Sequence, residues 1–225
     1  MSNLTIYHGS SEIIKTPEYR KGTVYNDYGQ GFYCTEHIEL AKEWACTENT
    51  DGFVNKYEID ISSLNILNLS SEEYTILHWL ALLMNNRKVR LSTPIMKKGA
   101  QWLYEIFLPD ITGYDVIIGY RADDSYFSFA RAFVNNEISL KQLSYAMRLG
   151  NLGEQFVLKS RKAFDCINFT SYEPADSTMY YTLRKARDEE ARNAFFAELE
   201  NDDADGIFMR DITREEIKPD DLRLR

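Results

Sequence analysis

The sequence predicts a mixed α and β chain of the α+β class, with a core to about residue 173 and a helical extension over residues 174–225. Three observations predict it. Residues 53–61 alternate apolar and polar almost without a break, the period of a half-buried strand. Residues 115–119 form an apolar run too short for a helix and suited to a buried strand. Residues Ile38, Ala41, Trp44 and Ala45 recur at the spacing of one helix face.

The remaining elements follow in order. Residues 4–8 alternate weakly and read as a first strand, and the polar stretch 11–25, with Pro17 and Gly22, reads as irregular. Residues 31–35 are a short aromatic strand, and Thr35 is placed to cap the helix that starts at Ile38. Ser70-Ser71-Glu72-Glu73 has a capping-box pattern and should open a helix through Leu77, Leu80 and Met84. A helix over 101–107 should stop at Pro109. Two more helices are expected over 125–134 and 139–148, then strands over 153–159 and 166–172. Residues 176–200 read as one long helix or two, and 207–209 as a last short strand.

At 225 residues the chain is long enough for one sizeable core. No run of about eighteen apolar residues occurs, so no transmembrane helix is expected. The start of the chain has neither the basic region nor the apolar stretch of a secretory signal. Cys34, Cys46 and Cys166 are scattered, and His8, His37 and His78 lack ligand spacing. Neither a disulfide framework nor a metal site is therefore expected, and a cytoplasmic location fits best. A net charge of -9 argues against broad, non-specific nucleic-acid binding.

Two short segments carry the chemistry: Tyr7-His8-Gly9-Ser10, and Asp27-Tyr28-Gly29-Gln30-Gly31-Phe32-Tyr33-Cys34-Thr35, the latter running into the helix with Trp44. Taken singly, a strand-end histidine is usually a satisfied structural residue, Tyr33 and Trp44 are ordinary core aromatics, and paired glycines make a turn. Their order is what distinguishes them. Together with Trp44-Ala45, Val54-Asn55-Lys56-Tyr57 and the run from Asp115 to Gly119, they resemble the ADP-ribosyltransferase superfamily, in its poly-ADP-ribose polymerase and diphtheria-toxin branch. The closer resemblance is to small bacterial ADP-ribosyltransferase-like proteins whose domain has no assigned function, over roughly residues 4–170.

The resemblance implies a split β-sandwich core with helical insertions, an NAD co-substrate, and no metal. It implies mono-ADP-ribosyl transfer to a protein or nucleic-acid acceptor with release of nicotinamide. A toxin or defence effector with a small antitoxin partner, acting away from the membrane, belongs to the same expectation. By residue, His8 would hold the ribose, Gly9 the carboxamide and Ser10 the supporting loop. Tyr33 and Trp44 would stack on nicotinamide beside Gly31. The late acidic position of the signature falls on Glu154 or Gln155, which point to opposite faces of a strand, with Gln155 preferred. A glutamine could orient a nucleophile without acting as a base.

Other residues carry less. Arg121, Asp123 and Asp124 form either a substrate-facing loop or a plain turn. Arg184, Lys185 and Arg187 read as a solvated helix face. Two rivals stand beside the enzyme reading: a catalytically inactive NAD-binding or nucleotide-binding module of the same fold, and a structural or partner-binding protein whose last long helix does the work.

Overall fold

A computed structural model of the chain describes residues 3–122, 124–147, 153–201 and 203–224. Among the described residues two sheets share one apolar cluster, and helices cover the other face of the second sheet. The first sheet has the order β1-β3-β7, all antiparallel: β1 (Asn3–Ser10), β3 (Gly52–Asp60) and β7 (Ile167–Ala175). The second has the order β2-β6-β5-β4: β2 (Phe32–Cys34), β6 (Glu154–Leu158), β5 (Val116–Tyr120) and β4 (Ile66–Asn68). Among the described residues only β4 and β5 pair in parallel. An isolated antiparallel bridge between Tyr7 and Thr35 joins the two sheets.

Alternation along the strands assigns each side chain to a layer. Ile6, Tyr57 and Ile59 of the first sheet meet Phe32, Val116, Phe156 and Leu158 of the second in one apolar cluster. On the other face of the second sheet, Leu67, Ile117 and Val157 face a larger cluster built from helices. These are α2 (Ile76–Asn86), α3 (Pro94–Trp102) with its π-turn continuation Leu103–Phe107, α4 (Asp124–Val134) and α5 (Leu140–Ala146). Strand β6 is covered on both faces, so its apolar residues run together without alternating.

Helix α1 (Ile38–Ala45) packs on β1 and β3, and α7 (Ser177–Leu199) packs on α1, α4 and α5. Residues 177–199 are one continuous helix. Phe195 of α7 stacks on Phe129 at 4.1 Å between ring centroids. Arg187 pairs with the buried Glu43 of α1 at 2.6 Å, so this part of the extension is not a solvated face. Among the described residues no helix is long and apolar enough to cross a membrane.

Several boundaries differ from expectation for identifiable reasons. Helix α2 starts at Ile76, six residues past Ser70, because His78 rather than a glutamate closes its cap: its Nδ1 accepts the Thr75 N–H at 3.0 Å. The α1 cap is His37, while the Thr35 hydroxyl accepts the His37 N–H at 3.2 Å. Pro174 pairs opposite Phe53 inside β7, so the core extends through Ala175. Strand β4 and the short helix α6 (Arg161–Asp165) were not anticipated. Residues 207–209 form no strand; Asp211 accepts the Phe208 N–H at 3.0 Å and starts α8 (Met209–Arg214). Arg148 and Asp123 lie outside the described residues.

Candidate active site

The site forms where the end of β1 meets β2. Tyr7 and Thr35 exchange main-chain hydrogen bonds at 2.8 and 2.9 Å, which sets His8 beside Tyr33. The half-buried His8 ring lies on Phe32, 4.3 Å between centroids, with its Nδ1 2.7 Å from the Tyr33 carbonyl oxygen. A carbonyl only accepts, so Nδ1 carries the proton and Nε2 is left as an acceptor. Burial pushes the imidazole below its ordinary pKa, against the smaller opposing pull of that carbonyl. The ring is neutral.

Helix α1 crosses β1 so closely that a Cβ on Gly9 would meet Ala41 O at 2.0 Å and Ala45 N at 2.7 Å. Only glycine permits that approach. The same packing brings Trp44 to the end of β1. The Arg121 guanidinium lies over the Trp44 ring at 4.2 Å, so one face of the indole carries a cation.

The turn at residues 26–29 is held from three directions. Gly29, at φ +72°, returns its N–H to Asn26 O at 2.9 Å. The Tyr33 hydroxyl reaches back to accept the Tyr28 N–H at 3.0 Å and donate to Gly29 O at 2.6 Å. Burial raises the pKa of this phenol, which serves as a structural strut. From beyond β6, the Lys159 ammonium donates to the carbonyls of Tyr28 and Gln30, at 2.5 and 2.6 Å.

That turn presents Asp27, a buried carboxylate at the back of the site. Arg87, at the end of α2, donates from Nε to Oδ1 at 2.7 Å. Oδ2 accepts the Ala122 N–H at 2.9 Å and the Gln155 side-chain amide at 3.1 Å. Burial raises the Asp27 pKa, and Arg87 and the Ala122 amide pull it back in part. Gln155 is only 6% exposed, and among the described residues its Oε1 has no hydrogen-bond partner.

These groups line one cleft of about 300 Å³ that contains His8, Gly9, Asp27, Tyr33, Trp44 and Gln155. Arg87, Arg121 and, from α7, Arg184 also line it. Among the described residues, the charged groups lining it are three arginines and one carboxylate, within a chain of net charge -9. Among the described residues no cluster of His, Cys, Asp or Glu could hold a metal ion.

Five residues singled out from sequence therefore converge: His8, Gly9, Tyr33, Trp44 and Gln155. Three do not line the cleft. Glu154 is exposed at the start of β6, since strand alternation turns it away from Gln155. The Ser10 hydroxyl accepts the Glu12 N–H at 3.1 Å and shapes the exit of β1. Gly31 packs against β6, where a Cβ would meet Val157 Cγ1 at 2.7 Å.

A family model described as a protein of unknown function, DUF3990, matches residues 4–169. The chain belongs to the DUF3990 family. No curated protein matches it, and no solved structure does. The matched span holds the seam, the turn and every cleft residue named above except Arg184, which α7 supplies from beyond it.

Asp27, Arg87 and Arg184 were not anticipated as site residues. Asp27 had a signal, because it opens the glycine-bracketed segment, yet an aspartate there also reads as a turn residue. Arg87 follows an apolar helix with nothing local to mark it. Arg184 sits among other charges on a long helix.

Proposed function

We propose that this chain is an NAD-dependent mono-ADP-ribosyltransferase whose two sheets form a split β-sandwich. The observation that carries the reading is the convergence of His8, Gly9, Tyr33, Trp44 and Gln155, distant in sequence, on one cleft. Breaking the ribose–nicotinamide bond passes through an oxocarbenium-like state. Its site must hold the ribose, grip the nicotinamide end and stabilise developing positive charge.

The residues present suit those tasks. The His8 Nε2 would accept from a ribose hydroxyl, and the glycine backbone allows a carboxamide close to β1. Tyr33 and Trp44 would bound the nicotinamide ring. Arg184, half-exposed on α7, suits a pyrophosphate, with Arg87 engaged behind it by Asp27. The Gln155 Oε1 is an acceptor in need of a donor, and a second ribose hydroxyl is one.

One observation favours a second reading, a catalytically inactive NAD-binding module. The inward residue of β6 is an amide, which cannot take a proton from an acceptor. Purified protein incubated with labelled NAD and a cell extract, beside His8→Ala, tests both readings. Nicotinamide release and label transfer that require His8 support the transferase, and protease or nuclease sensitivity of the label names the acceptor class. Calorimetric NAD binding without release supports the binder. Neither binding nor release overturns both.

A further inference from the structure

We propose that Asp27 is a positioning residue that fixes the amide of Gln155, so that Oε1 and not Nε2 faces the ligand in the cleft. The proposal takes the identity of the ligand from the NAD reading. The amide orientation itself does not depend on it.

The argument is one of donors and acceptors. An ionised carboxylate offers only acceptors. Asp27 Oδ1 is taken by the Arg87 Nε at 2.7 Å, and Oδ2 by the Ala122 N–H at 2.9 Å and the Gln155 Nε2 at 3.1 Å. Rotating the Gln155 amide by half a turn would set its oxygen against Oδ2 and lose the bond. The network therefore decides the assignment of oxygen and nitrogen. Arg87 also donates to Ala122 O at 2.5 Å and so ties the ends of the two loops that meet at Asp27.

The consequence is a buried amide oxygen that, among the described residues, has no partner, on a residue that lines the cleft. Such a group is costly to leave unmade and is satisfied by a ligand donor. The group facing Gln155 must then be a hydroxyl or an N–H, and a phosphate or carboxylate is disfavoured there. In the NAD reading that donor is a ribose hydroxyl. The Asp27 charge then bears on the ligand through the neutral amide that it holds.

The test uses the full chain labelled with ¹⁵N. The Gln155 side-chain amide signal is identified by its loss in Gln155→Glu, and its hydrogen exchange is followed without ligand. One slowly exchanging proton, bonded to Asp27, is expected in the wild type, whereas two rapidly exchanging protons overturn the proposal. In Asp27→Asn, position 27 offers a donor or an acceptor, so the amide should lose that protection. An unchanged signal in the folded variant overturns the proposal. The wild-type measurement stands whether or not Asp27→Asn folds.

Nicotinamide release supplies the functional arm. For Asp27→Asn we expect kcat to fall about tenfold, the rate equivalent of one hydrogen bond, with KM little changed. Asp27→Asn with Gln155→Glu should recover part of that loss, because the amide introduced at position 27 can donate to the new carboxylate while forgoing the Ala122 N–H bond. A purely structural role for Asp27 would not be rescued by a change at position 155. No release from the wild type, with the amide protected as expected, leaves Asp27 as the positioning residue and removes the transferase reading instead.

Discussion

His8 on β1 and Tyr33 on β2 are tied across the seam of the two sheets by a 2.7 Å hydrogen bond from the imidazole to the main-chain oxygen. The same ring packs on Phe32 at 4.3 Å. His8 is therefore both a cleft residue and a joint of the fold. His8→Ala should lower stability by about 1–3 kcal/mol through the lost bond and ring contact. It should also abolish NAD turnover. Urea unfolding and nicotinamide release on the same preparation check both, and a fully stable variant would mean that the joint is held by the Tyr7–Thr35 bridge alone.

The pH dependence follows from the same ring. Burial holds His8 below its ordinary value of 6.5, and burial lowers His78 in the same direction. Between each folded pKa and 6.5 the unfolded chain binds a proton that the folded chain does not, so stability rises with pH across that window. Above it both states are neutral and the contribution is constant. Asp27 acts in the opposite sense, because its raised pKa lets the folded chain bind more protons just above 3.8. Wild type should be less stable at pH 5 than at pH 7.5, and His8→Phe should narrow that gap. An equal gap in both proteins would place the effect on His78.

The strands and most helices were legible because burial writes a period into the chain. Residues 53–61 alternate because β3 has neighbours on both edges and faces the second sheet on one side. The candidate site was legible where its residues share short segments, as His8 with Gly9 and Tyr33 with the turn glycines, and through the order of segments for Trp44 and Gln155. Arg87 lies 60 positions from its partner Asp27, and that pairing is made by tertiary packing with no local pattern. The same holds for Arg184 and for Glu43 with Arg187, 144 positions apart. The choice between Glu154 and Gln155 needed the register of β6 against β5, which sequence alone does not supply.

Glu43 and Arg187 provide a test of how the last helix is held. The Glu43 side chain is 5% exposed and that of Arg187 27%, so the two ends of the pair are not equivalent. Removing Arg187 leaves a buried carboxylate without that partner, a change that typically costs about 3–5 kcal/mol. Removing the charge of Glu43 leaves an arginine that can turn to solvent. Arg187→Ala should thus destabilise more than Glu43→Gln in urea unfolding, and the reverse order would sink this account.

Lys159 grips the turn that bears Asp27. Burial lowers its ammonium to about 8. Between about 8 and its ordinary 10.5 the unfolded chain binds more protons, so this group makes stability rise with pH in that range. Lys159→Met should remove that slope. It also leaves the Tyr28 and Gln30 carbonyls without this donor, which loosens the turn, so NAD affinity should fall at pH 7. Unfolding curves at pH 8 and pH 10, together with calorimetric titration, measure the two effects.

Arg184 asks whether α7 belongs to the site. It reaches the cleft from beyond the span matched by the family, and it is half-exposed. A partly solvated arginine facing a pyrophosphate gains a charge-assisted contact that salt weakens. Arg184→Ala should raise the Kd for NAD about fivefold at low ionic strength, a modest charge contact, with Tm unchanged. The difference should shrink in high salt. If the affinity is the same at low salt, the anionic part of the ligand lies away from α7, and the helix serves the cleft only through its packing on α1.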